Sequence, residues 1–366
     1  MKRSFSIFLT LFGVALATLV TVGCKRTSYS IEATVMDGLN GETAYLFDAL
    51  TEETIDSVVV ADGKAIFSGK TDSTRIVALV GVSYAPVVFF LEPGKIKIDA
   101  DSNCITGTKL NNDYTEFIND KNLQALSQKC EEIRSEIYTV EDEGAQVGIL
   151  ERYEAASENL QKALKTRCLE LYDNHKKDLL GAYALTIVSQ NLTYAELDSL
   201  LSDAAPVVAN FAPLAEIYQS LKSVEESQPG HSFIDFNGTD YATGKPASLA
   251  SMIDGKIAVV DFWASWCRPC REEITSTLIP LYEEFKSKGV EVIGVDVSDT
   301  AEDHDKAVKE LGITYPQLID SEKKAGNLYG LKSIPQILII DRNGTIVARD
   351  LRGDDIRVEL EKLLAE

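Results

Sequence analysis

Two cysteines three residues apart, in the run Trp266-Cys267-Arg268-Pro269-Cys270, are the residues of this 366-residue chain whose types and spacing most directly imply chemistry. They stand between an apolar run, Ile257 to Trp263, and an amphipathic one. At such a strand-to-helix junction the pair can close a disulfide with little backbone movement. The unpaired N–H groups and the dipole of the helix start favour a thiolate on the first sulfur. Placement of this kind commonly lowers a cysteine pKa from about 8.5 toward neutrality. Pro269 suits the first helical turn, where no N–H is needed, and Arg268 adds positive charge beside the nucleophile. The implied chemistry is thiol–disulfide exchange.

Two other readings of the pair compete with it. Half of a zinc site would need further Cys or His ligands at suitable spacing. His175, His231 and His304 are the chain's histidines, and none stands in a ligand-like pair, so no metal is expected. A peroxidatic cysteine of the peroxiredoxin type would follow a Thr by three residues and a Pro by seven. Ala264 and Val260 occupy those positions.

The elements around the pair alternate between strand and helix. Ile257 to Trp263 reads as a buried strand, and Ile274, Leu278, Leu281 and Phe285 mark the inward face of the helix after it. Val290 to Val297 is a second strand and Asp303 to Leu311 a second helix. Gln336 to Ile340 and Thr345 to Leu351 form a hairpin across Asn343-Gly344, and a last helix runs from Asp354 to Leu364. This order predicts a mixed sheet with helices on both faces.

Val259 to Cys270, Val-Val-Asp-Phe-Trp-Ala-Ser-Trp-Cys-Arg-Pro-Cys, resembles the active-site strand and turn of thioredoxins, and more closely the TlpA-like and ResA-like thiol–disulfide oxidoreductases of bacterial envelopes. The resemblance runs from about Gly230 to the C-terminus and implies further roles. Asp261, six residues before Cys267, matches the buried acid that moves the proton of the resolving thiol. By itself it is a carboxylate between Val260 and Phe262, costly in a buried strand unless it works or stays protonated. Ser333-Ile334-Pro335 matches the loop whose cis-proline faces the cysteines, with the Ile334 backbone binding an extended substrate as an added strand. Trp266 matches the aromatic shield of the disulfide. The implied partners are protein disulfides and an upstream thiol electron donor; no cofactor is required, and reduction is the favoured direction. The helix proline usual five residues after the second cysteine is replaced by Thr275, and the helix is one residue longer than usual before Tyr282.

The rest of the chain divides by pattern. Lys2 and Arg3, an apolar run from Phe5 to Val22, and Gly23-Cys24 describe a secretory signal over residues 1–23. It resembles a bacterial lipobox, which makes Cys24 a lipidation site and the protein a membrane-anchored one facing the periplasm. A β-sandwich is expected over residues 28–109, with a hairpin at Asp62-Gly63. A helical segment follows over 110–227, and the thioredoxin-like domain occupies 228–366. Helix faces at Leu123, Leu126, Cys130, Ile133 and at Leu160, Leu164, Cys168, Leu171 predict a hairpin broken around Gly144 and Gly148. Hinged near Gln146, it sets Cys130 opposite position 162, too far from Cys168 for a bridge. Glu225 to Gly230 reads as a linker. A net charge of −21 argues against nucleic acid as a partner.

Overall fold

The computed structural model describes residues 27–140, 142–320 and 322–365; the expected signal segment and Cys24 lie outside them. Two compact units divide between Ala215 and Glu216.

The first unit begins with β1 (Thr27–Thr34), β2 (Thr43–Asp48), β3 (Thr54–Val59), β4 (Lys64–Thr71), β5 (Arg75–Val80), β6 (Val87–Leu91), β7 (Gly94–Asp99) and β8 (Cys104–Thr106). Among the described residues they form two four-stranded sheets, ordered β4-β1-β7-β8 and β3-β2-β5-β6. Alternate residues turn inward, Ile31, Ala33 and Phe67 from one sheet and Leu46, Leu79 and Phe89 from the other. The Asp62-Gly63 turn forms with both residues at positive φ, yet it is not the expected hairpin. Beyond the Ala61–Lys64 bridge the chain leaves one sheet for the other, because Val60 donates to the Glu42 carbonyl and β4 pairs along its length with β1.

Helices α1 (Lys109–Ile118), α2 (Lys121–Ile137), α3 (Glu143–Asn174), α4 (Leu179–Val188), α5 (Tyr194–Ser202) and α6 (Pro206–Ala209) follow. The α2–α3 break comes earlier than expected. Asp142 caps α3 by accepting from Ala145 N, and the Gln146 side chain donates to the Val140 carbonyl. Gly144 therefore falls in the first turn of the helix and Gly148 inside it, where an interior glycine costs about 1 kcal/mol. Cys130 consequently packs beside Ile149 and Ala156 rather than position 162. Cys130 and Cys168 are free and buried, and burial pushes the Cys168 thiol up to about 12.

The second unit starts within α7 (Ala212–Glu226). Ser227, in the stretch that composition marks as a linker, is fully buried; the Arg349 guanidinium donates to its hydroxyl, and a Cβ on Gly330 would meet Val224 and Ser220 of the helix. The expected linker is thus a docked segment. Beyond it come β9 (Asn237–Asp240), β10 (Pro246–Ser248), α8 (Leu249–Ile253), β11 (Ile257–Trp263), α9 (Arg268–Glu273), α10 (Ile279–Phe285), β12 (Val290–Asp296), α11 (Ala301–Leu311), β13 (Gln317–Ile319), α12 (Lys324–Leu328), β14 (Gln336–Ile340), β15 (Ile346–Arg349) and α13 (Asp354–Ala365). The strands make one mixed sheet, ordered β10-β9-β13-β12-β11-β14-β15. All seven residues of the central strand β11 are buried, as a strand covered by helices on both faces requires. Val259 and Trp263 turn toward α9, α10 and α13, and Val260 and Phe262 toward the layer holding Tyr329.

The extra helix residue noted in the sequence has a structural home. Between α9 and α10 the chain makes a π turn, Ile274–Leu278, in which Ile279 N reaches back to the Ile274 carbonyl. A π turn absorbs one inserted residue without shifting the apolar face, so Ile274, Leu278 and Leu281 all stay buried.

One row across the sheet runs Ile337, Asp261, Gly294, Gln317. The glycine leaves room beside Asp261, and the Gln317 side chain reaches over it to accept from the Trp263 indole N–H at 3.0 Å. A Cβ at Gly294 would collide with that amide. Gly294→Ala is therefore expected to destabilise the protein by about 1–3 kcal/mol, read as a lowered urea midpoint, with a changed Trp263 near-UV circular dichroism. An unchanged midpoint would show that Gln317 moves aside freely.

Candidate active site

Cys267 caps α9: its sulfur accepts from Cys270 N at 3.2 Å, and Pro269 lies in the first turn. Cys267 and Cys270 are joined as a disulfide, with Cα atoms 5.3 Å apart. Both sulfurs are largely covered. Cys267 is 4% exposed and Cys270 fully buried, so what access there is falls on Cys267. The Ile334–Pro335 peptide is cis, and the Ile334 carbonyl oxygen lies 3.6 Å from the Cys267 sulfur. Trp266 projects beside them, 68% exposed. Arg268 points away into an exposed pair with Glu272, so its charge is spent locally.

Asp261 is fully buried on β11, and neither carboxylate oxygen has a hydrogen-bond partner among the described residues. Burial raises its pKa to about 8; the Arg352 charge opposes the shift and Glu273 adds to it. A carboxyl poised near neutrality can take and return a proton. Tyr315, buried with its hydroxyl likewise unpartnered, has its phenol pushed well above the usual range by burial and by Asp261.

Glu273 and Arg352 were not singled out from the sequence. Glu273 accepts from Gly353 N at 2.8 Å, while Arg352 donates to the carbonyls of Leu351 and Pro335. Together they tie α9 to the cis-proline loop. The available signal was Glu273 standing one helical turn after Cys270.

A second missed group holds the turn in front of the cysteines. Asp299 accepts from Ser265 N at 2.6 Å and from the Ser265 hydroxyl at 2.8 Å, and the Trp266 indole donates to the Ser298 hydroxyl at 3.2 Å. Asp296 shapes this loop by accepting from Ser298 N and Asp299 N. His304, fully buried between the rings of Trp263 and Tyr241, sets its Nδ1 3.2 Å from the Asp296 carboxylate. Ligand atoms of Asp296, Asp299 and His304 lie within 4.8 Å of one another. Both Asp299 oxygens and one of Asp296 already accept from the turn and loop, so the arrangement acts as a clamp on Ser265.

A mixed sheet with a cysteine pair capping a helix beside a cis-proline loop defines a thioredoxin-like domain. The AhpC/TSA family model matches residues 229–349, and a domain of unknown function, DUF4369, matches residues 29–114. The thiol-disulfide oxidoreductase ResA of Bacillus thuringiensis (strain Al Hakam) is 32% identical over 140 residues, spanning 38% of this chain and 79% of its own. The thiol:disulfide interchange protein HelX of Rhodobacter capsulatus is 37% identical over 124 residues, 33% of this chain and 68% of its own. The solved thioredoxin domain of a Bacteroides vulgatus thiol-disulfide oxidoreductase shares 34% identity, with a TM-score of 0.35, over 37% of this chain and 97% of its own. The chain belongs to the ResA-like thiol-disulfide oxidoreductases.

The raised Asp261 pKa carries a stability consequence. An unfolded Asp ionises near pH 4, whereas the folded one keeps its proton to about 8. The folded state binds more protons between these values, so stability falls as pH rises across that window. Asp261→Asn is expected to flatten this slope, to be the more stable form at pH 8, and to slow exchange at neutral pH. Unfolding midpoints from pH 4 to 9 check it; an Asn variant less stable at pH 8 would mean that the carboxylate is structurally needed.

Proposed function

We propose that the chain exchanges disulfides with protein substrates through Cys267 and Cys270, acting as a reductase in the bacterial envelope, anchored to a membrane and facing the periplasm. The observation that carries this reading is the Cys267–Cys270 disulfide at the start of α9 on the same side of the sheet as the buried, unpaired Asp261. In the reduced pair, the Cys267 thiolate attacks a substrate disulfide, and one substrate sulfur leaves as thiolate. Cys270 gives its proton to Asp261 in its ionised form and attacks the Cys267 sulfur, releasing the second substrate thiolate. The substrate gains two electrons and the pair loses them. An upstream thiol donor restores the pair, and the electron count closes on sulfur without a cofactor.

Two features favour the reducing direction. The Cys267 sulfur accepts from Cys270 N but also faces the Ile334 carbonyl oxygen at 3.6 Å, which disfavours negative charge there. Arg268, paired with Glu272, adds little to the thiolate. A less stabilised thiolate makes the reduced form the stronger reductant. Ile334 and Pro335 supply the edge where an extended substrate adds as a strand, with Trp266 covering the bond under attack. The run from Phe5 to Val22 ending in Gly23-Cys24 supports export and lipidation at Cys24. The same reading separates the chain into residues 28–109, 110–227 and 228–366, with exchange confined to the last.

Cys270→Ser is expected to attack and then stall, accumulating mixed disulfides visible on non-reducing gels, whereas Cys267→Ser accumulates none. Trapping by the Cys267 variant instead would reverse the two roles, and trapping by neither would end the exchange reading. Cys24→Ala is expected to leave the protein in the soluble fraction or as unprocessed precursor; retention in the membrane with normal processing would contradict lipidation.

A further inference from the structure

Beside the disulfide lies a groove of about 380 Å³, lined by Trp266, Val297, Leu331 and Ile334, with Lys323 and Lys332 at its rim. Its walls are apolar and its fixed charges positive, in a chain that carries 57 acidic residues against 36 Lys and Arg. Both rim lysines are exposed, and neither forms an ion pair with a described residue, whereas Lys324 next to them is paired with Glu322 at 2.8 Å. The nearby Asp299 carboxylate does not cancel this charge at the rim. It is half-buried against the turn with both oxygens accepting from Ser265, so its charge is directed at the turn rather than at the groove.

We propose that this groove selects extended protein segments that carry Asp or Glu beside the cysteine to be reduced. This rests on the exchange reading and names its substrate class. A segment laid along Ile334 as an added strand sends alternate side chains to one face. An apolar side chain then fits against Trp266, Val297 and Leu331, and a neighbouring carboxylate reaches Lys323 or Lys332. The overall charge of −21 repels acidic proteins at long range, so a positive rim confined to the groove sorts partners by local sequence rather than by net charge. Pairs of exposed charges are individually modest and weaken with salt. The selectivity is therefore expected to be on the order of tenfold at low ionic strength and to shrink steeply in salt.

The test uses the full chain and two ten-residue peptides with serine in place of the cysteines, identical except for Glu or Lys on either side. Binding is read by calorimetry or tryptophan fluorescence, so it does not depend on exchange. The Glu peptide is expected to bind about tenfold more tightly at 20 mM salt and about equally at 0.5 M. Lys323→Glu with Lys332→Glu is expected to reverse the preference. Equal binding of the two peptides by the native chain, or a preference unchanged by the double substitution, would overturn the proposal. Reduction of hydroxyethyl disulfide by the native chain is measured in parallel. Its failure would strike at the exchange reading, while the peptide result still judges the groove.

Discussion

The site depends on a carboxyl that the fold buries and leaves without a partner. Asp261 stands in the middle of β11, the central and wholly buried strand, and its oxygens find no donor among the described residues. Such a group is costly in ionised form, so it keeps its proton to about pH 8. The cost is tolerable because the seven-stranded sheet and its helices bury enough apolar surface to carry it. The result is a titratable carboxyl with a pKa of about 8 inside the core of the cysteine-bearing domain.

Around that carboxyl the structure is a set of positioning devices. Gly294 opens the row beside Asp261, and Gln317 fills it to hold Trp263. Asp299, set by Asp296, grips Ser265 two residues before Cys267, and Ser298 steadies Trp266. Glu273 and Arg352 join α9 to the loop carrying Ile334 and Pro335. Each device uses a polar group to fix structure around the pair, so the Cys267 turn, Trp266 and the cis-proline loop are held in one geometry. The π turn after α9 lets the helix carry an extra residue while this end stays unchanged.

Local chemistry made part of this legible from sequence. The cysteine pair, the strand before it and the apolar face of Ile274, Leu278, Leu281 and Phe285 follow from spacing alone. The roles of Asp261, Ile334 and Pro335 came through resemblance, since a single acid in an apolar strand has several readings. What escaped was set by tertiary contact. Asp296, Asp299 and His304 lie between 26 and 37 residues from the cysteines, and nothing in their spacing signals a shared clamp. Short elements such as β9, β10 and β13 carry too few residues for a period to show. Glu225 to Gly230 was misread because its composition suits a linker, whereas burial of Ser227 against Arg349 decides its structure. The α2–α3 break was misplaced because two glycines outweighed the Asp142 cap in the pattern.

The most direct test is the reduction potential of the Cys267–Cys270 pair in the purified protein, measured by equilibration with thiol buffers at pH 7. The account predicts a reversible two-electron couple at a strongly reducing value, close to the roughly −270 mV of thioredoxin. A value near the roughly −120 mV typical of a strong disulfide donor, or the absence of any reversible couple, would contradict it.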